Sequence, residues 1–305
     1  MELRRHALAV AFMLVFLRAF SLDSASGNSV VVRAPSLGDG PVYLTVNLGE
    51  LIDLSPGPVC FGAYPVLLKR TGIEWEFRAV ASGHTQVIAG SGAQKRTILV
   101  FVTPTPSRQV ERLDLEWYRT QFGAGVADCG PALVSMSILW ARGKDVSVQD
   151  IRTEIGYPFA NGATSFADLR VALDRHRVVW RTTPVRAVSD LIAVLKRGHL
   201  ALMLIRSGGI ARVKGDPRRD LIGRYYDYKE GHYVLAKGYS IDRSYFVVYD
   251  PYPADWDDNS LRYEDGTTMI GKNRYYPADQ VLAALKAGTV LEVSQDRANT
   301  SGTAP

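Results

Sequence analysis

Cysteine is scarce in this sequence of 305 residues: Cys60 and Cys129 are the whole complement. Two cysteines exclude a disulfide scaffold, and thiols alone cannot assemble a four-thiolate zinc site. The five histidines are scattered, with no HExxH and no His-x-His pair. The phosphate-binding loop pattern and the dinucleotide fingerprint are both absent, so no nucleotide cofactor is implied. Asp255, Asp257 and Asp258 lack the spacing and glycine of a calcium loop. No cofactor or metal is therefore expected. No long Lys/Arg run concentrates the net charge of +5, which comes from 36 Lys plus Arg against 31 Asp plus Glu. Nucleic acid is accordingly not an expected partner.

What is present is an ordinary globular balance, 47% hydrophobic and 22% charged, which excludes wholesale disorder and a multi-pass membrane protein. Arg4 and Arg5 precede an apolar run from Ala7 to Leu17, too short for a comfortable membrane span. Small and polar residues follow to Gly27. This is the pattern of a secretory signal over residues 1–26, with small residues suited to cleavage at Ala19-x-Ser21 or Ser24-x-Ser26. Retention as an N-terminal anchor is the alternative. Either way the body of the chain is expected to be secreted or held at the cell envelope.

Residues 29–102 carry strand signals and no convincing helix. Short β-branched or aromatic runs are separated by Gly and Pro clusters such as Pro56-Gly57-Pro58 and Gly90-Ser91-Gly92. That cadence predicts a small antiparallel sandwich or barrel. Ile73, Trp75, Phe77 and Ala79 alternate onto one face. Thr103-Pro104-Thr105-Pro106-Ser107 then predicts an extended linker.

Residues 108–294 change to helices followed by strands. Asp128 precedes a run from Cys129 to Arg142 that Gly143 ends, with Pro131 in the first turn, so a helix capped by Asp128 is expected. It is apolar nearly all round and should be buried. Ser147 with Asp150, and Ser165 with Asp168, have capping-box spacing. Further helices are expected over Ser189–Arg197 and Ala278–Lys286. Strands are expected over Val178–Thr182, His199–Arg206, His232–Tyr239, Tyr245–Tyr249 and Thr289–Val293. The class is α+β, and residues 295–305 read as a disordered tail.

Three residues carry the chemistry. Cys129 opens the buried helix, where backbone N–H groups and the helix dipole favour the thiolate, its nucleophilic form. Gly130 permits a close approach by a chain segment or a substrate. His232 opens a strand after a long loop. Asp250-Pro251 closes the partner strand of the same hairpin, so Asp250 falls near the position facing His232 and can accept the imidazole Nδ1–H. Taken singly, these residues also read as a core thiol, a strand-end histidine and a turn. Together they follow the order of a thiol hydrolase.

On Asp128-Cys129-Gly130-Pro131-Ala132, Gly231-His232-Tyr233-Val234 and Asp250-Pro251, residues 115–293 resemble the papain-like superfamily. Within it they are similar to the bacteriocin-processing, double-glycine-cleaving peptidases and their freestanding secreted relatives. The resemblance implies a papain-like cysteine peptidase domain preceded by the small all-β module, which loosely resembles an immunoglobulin-like sandwich. It implies catalytic roles for Cys129, His232 and Asp250. It also implies that Gln121 joins the Cys129 N–H in an oxyanion hole. Gln121 lies about two residues farther from the cysteine than that family's usual spacing, a difference that Gly123 and Gly125 can absorb.

The expected partner is a peptide or protein substrate, with cell-surface or cell-wall material as a further partner through the β-module. Two rival functions stay open: a cell-wall amidase or endopeptidase of the same thiol logic, and a non-catalytic surface-binding protein that kept the fold. The loop over 208–230, with Arg218, Arg219, Arg224, Tyr225, Tyr226 and Tyr228, reads either as a binding surface or as a solvated loop.

Overall fold

A computed structural model describes residues 31–33, 42–48, 50–53, 59–61, 68–70, 76–89, 96–112, 114–121, 127–156, 163–213, 216–253 and 262–295. The N-terminal signal, Trp75, Gly123 and Gly125, Asp255 to Asp258 and the C-terminal tail lie outside these residues, as does the side chain of Cys60.

The β-rich region forms two four-stranded sheets. One contains β1 (Val31–Arg33), β3 (Leu51–Asp53), β6 (Glu76–Ala79) and β5 (Leu68–Arg70) in that order. The other contains β2 (Val42–Asn47), β8 (Arg96–Thr103), β7 (Gly83–Ala89) and β4 (Val59–Phe61). Leu44, Val46, Val87, Val100 and Val102 of one sheet share a single core with Ile52, Phe77 and Ala79 of the other. The antiparallel expectation needs correction at two pairings, since β1 runs parallel to β3 and β2 parallel to β8.

The segment 103–107 is divided between the two regions. Thr103 still pairs with Asn47. Pro106 already opens β9 (Pro106–Gln109), which pairs with the large sheet. Pro and polar residues hid this strand, because β9 is solvent-facing and shows no apolar alternation.

The larger region is α+β. A seven-stranded sheet runs in the order β10 (Val179–Pro184), β15 (Thr289–Ser294), β11 (Leu200–Arg206), β12 (Gly231–Ser240), β13 (Tyr245–Tyr249) and β14 (Arg274–Pro277), with β9 added beside β12. Every pairing in it is antiparallel. Five α-helices accompany it among the described residues: α1 (Cys129–Arg142), α2 (Val148–Glu154), α3 (Phe166–Arg175), α4 (Val188–Lys196) and α5 (Ala278–Ala284).

The period of two sorts side chains between the two faces. Leu200, Leu202, Tyr233 and Leu235 pack with the residues of α1 to α3. Ala201, Met203, Val234 and Ala236 pack with those of α4 and α5. A sheet covered on both sides explains why β11 reads as a continuous apolar run. Gly143 ends α1 at φ 67°, donating its N–H to Leu139 O at 2.9 Å. Both capping boxes expected for α2 and α3 have their serine accepting from the predicted Asp N–H.

Candidate active site

Cys129 is the first residue of α1, 9% exposed, and a free thiol. Gly130 behind it is forced by packing: a Cβ there would lie 2.5 Å from Thr164 Oγ1. The close approach is therefore made by a chain segment.

Asp128 does not cap the helix. Its backbone is helical and its side chain accepts no capping hydrogen bond. The fully buried carboxylate instead lies 2.7 Å from Arg152 Nε of α2, itself buried. Neither Asp128 oxygen nor that N–H is aligned for a hydrogen bond, so the contact is an ion pair. Burial pushes the Asp128 carboxyl up to about 6 against the pull of Arg152.

β12 and β13 bring the other two residues together. Leu235 faces Tyr249, so the ladder carries Asp250 to the level of Val234. That is two residues from His232 and on the same face. His232 Nε2 lies 2.7 Å from Asp250 Oδ1, with both side chains essentially excluded from solvent. The nitrogen differs from the one expected. Nε2 meets the carboxylate, and Cys129 is near enough to help raise the proton affinity of the imidazole. The imidazole is thus paired with a carboxylate and lies within electrostatic reach of a thiol.

Burial alone would lower the His232 imidazole. The Asp250 charge and hydrogen bond, helped by the neighbouring Cys129, outweigh it and lift the value to about 10. Burial would likewise raise Asp250, but His232, the Tyr276 hydroxyl and the Tyr252 N–H hold its carboxyl below the usual range. Among the described residues no group of metal-binding side chains occurs.

Gln121 is buried, and its backbone N–H donates to Pro251 O at 2.6 Å, tying it to the residue after Asp250. Its Oε1 is buried without a hydrogen-bond partner.

Aromatic residues that the sequence did not single out for this role surround the pair. Tyr226 Oη donates to Asp250 Oδ2 at 2.9 Å, and the Tyr276 hydroxyl donates to the same oxygen. Tyr252 N–H donates to Oδ1 at 2.9 Å, and Tyr118 Oη to the Asp250 carbonyl at 2.7 Å. The rings of Tyr226 and Tyr252 stand edge-on to the imidazole, each at 5.6 Å.

The loop over 208–230 is correspondingly less of a surface than expected. Arg224, Tyr225 and Tyr226 are buried and Tyr228 is exposed. Arg218 pairs with Asp216 and Arg219 with Glu264. The density of tyrosine in that loop was the available signal, but it marks packing around Asp250.

The chain matches no family model and no curated protein. Among solved structures it is similar to C39-type bacteriocin-processing peptidase domains, at low identity and over part of its length. The peptidase domain of Streptococcus ComA, a bifunctional ABC transporter involved in a quorum-sensing pathway, aligns at 11% identity and TM-score 0.38, over 59% of this chain and 99% of that one. A double-glycine-motif protease from an AMS/PCAT transporter, solved with its leader peptide, aligns at 10% identity and TM-score 0.36, over 63% and 98%. A C39-like peptidase from Bacillus anthracis aligns at 13% identity and TM-score 0.39, over 63% and 98%.

Proposed function

We propose that this chain is a cysteine peptidase that works outside the cytoplasm and hydrolyses peptide bonds through Cys129, His232 and Asp250. The observation that carries the reading is the buried imidazole 2.7 Å from Asp250 Oδ1, with Cys129 near enough to raise its proton affinity. Cys129 Sγ attacks the peptide carbonyl, aided by the orphan N–H groups at the start of α1. His232 gives a proton to the departing amine, leaving a thioester, and then takes one from water as the thioester is hydrolysed. Asp250 accepts the Nε2–H throughout and keeps the ring oriented. The Cys129 N–H and the Gln121 side-chain amide hold the oxyanion. The β-rich module, read as an immunoglobulin-like sandwich, serves attachment or substrate presentation.

The test is reaction with a thiol-directed electrophile followed by mapping of the labelled residue, together with turnover of a peptide library. Labelling at Cys129 and loss of turnover in a folded Cys129→Ala protein are expected. Full activity in Cys129→Ala would sink the assignment. Release of muropeptides in place of protein fragments would keep the thiol chemistry and change the substrate class.

A further inference from the structure

The Asp250 carboxylate is more crowded with donors than an orienting role requires. Holding an imidazole takes one oxygen. Here Oδ1 accepts both His232 Nε2–H and Tyr252 N–H, while Oδ2 accepts the hydroxyls of Tyr226 and Tyr276. The two phenols come from unrelated parts of the chain, Tyr226 from the long loop and Tyr276 from β14. Both are buried. Burying two hydroxyls is costly unless each finds a partner, and both are directed at the same oxygen.

Resting on the hydrolase reading above, we infer that Tyr226 and Tyr276 are positioning residues that clamp Asp250 and divide its negative charge between two sides. They thereby set how readily the His232 imidazolium gives up its proton. A carboxylate gripped at Oδ2 cannot rotate Oδ1 away from Nε2. Donors at Oδ2 also compete with the imidazolium for the same charge, which weakens the His232–Asp250 hydrogen bond. The consequence is chemical: a general acid bound too tightly to its carboxylate protonates a leaving amine poorly.

The phenols are suited to this work because they stay protonated. Burial first, and then the Asp250 charge, push both hydroxyls well above the ordinary tyrosine value. The titratable neighbours felt by Asp250 or feeling it are His232, Tyr118, Tyr225, Tyr226, Tyr263 and Tyr276. The Arg274 cation acts on Tyr225, Tyr263 and Tyr276. Those acting on His232 are Asp250 and Cys129.

The experiment measures the His232 ring titration by NMR in the full chain, in wild type, Tyr226→Phe and Tyr276→Phe, with the resonance assigned by its loss in His232→Ala. The alkaline limb of Cys129 alkylation by iodoacetate is followed in parallel. Removing one donor concentrates the carboxylate charge on the imidazolium, so the His232 midpoint should rise by about half a unit to one unit. The alkaline limb should move with it. A purely structural role would lower stability and leave the midpoint in place.

Folded variants whose His232 midpoint is unchanged, or moved down, would overturn the clamp. If Tyr276→Phe does not fold, Tyr226→Phe alone decides. Wild-type Cys129 that alkylates no faster than a free thiol would refute the hydrolase reading instead, and the NMR midpoint would still decide the clamp.

Discussion

Replacing Asp250 by Asn removes one charge from the site at almost no cost in shape. The structure sets the size of the effect. The His232 imidazole is lifted from 6.5 to about 10 against burial, with Asp250 the leading cause of the rise. At about 1.4 kcal/mol per unit, the net rise is on the order of 5 kcal/mol of imidazolium stabilisation. A folded value above the unfolded one means that this stability is fully present below 6.5 and is lost as pH rises through about 10.

An Asn side chain can keep its oxygen toward His232 Nε2 and Tyr252 N–H. Its amide then turns to the hydroxyls of Tyr226 and Tyr276, which can rotate to accept. Folding should therefore survive. The His232 midpoint should fall by at least about two units, because burial then acts with only Cys129 to oppose it. Urea midpoints measured across pH give a second readout. Wild type should lose stability between about pH 7 and pH 10, and the Asp250→Asn protein should show a flatter profile. An imidazole still titrating near 10 in that variant would refute the assignment of Asp250 as the source of the shift.

Arg152→Met should cost about 3–5 kcal/mol in urea unfolding, because it strands the buried Asp128 carboxylate. Since that carboxyl sits near 6 in the fold, the deficit should shrink toward about pH 4, where Asp128 is neutral, and widen above pH 7. An equal deficit at both ends would mean that the pair is not charged. Gly271→Ala should abolish thiol reactivity, because the added Cβ would collide with the Asp250 carbonyl and the Tyr118 hydroxyl. Normal labelling of Cys129 in that variant would show that the backbone there gives way freely. A chain beginning at Pro104 should fold and keep the reactive thiol, whereas one beginning at Val110 loses β9 and should be less stable. Equal thermal midpoints for the two would show that β9 adds nothing.

Much of the larger region was legible because its signals are local. The start and end of α1 follow from Pro131 and Gly143, and both capping boxes from Ser–Asp spacing. The hairpin that joins His232 to Asp250 could be counted out from its tight turn. What escaped depends on long-range contacts. Asp128 looked like a cap, yet its carboxylate is engaged by Arg152 on another helix. β9 and β14 lack the apolar alternation of strands and exist through pairing with β12 and β13. Tyr276 donates to a residue 26 positions away, which no local pattern encodes.

β12 carries two attachments on one backbone. Near its start stands His232, and near its end Tyr239 and Ser240 pair with Arg108 and Pro106 of β9. A strand rises about 3.3 Å per residue, so the imidazole and that junction are roughly 23 Å apart along a nearly inextensible line. The polypeptide leaves for the N-terminal sheets from a point whose distance to His232 is set by the strand. β12 is thus a ruler: the separation between His232 and the exit toward the N-terminal sheets is a length that side-chain substitutions leave unchanged.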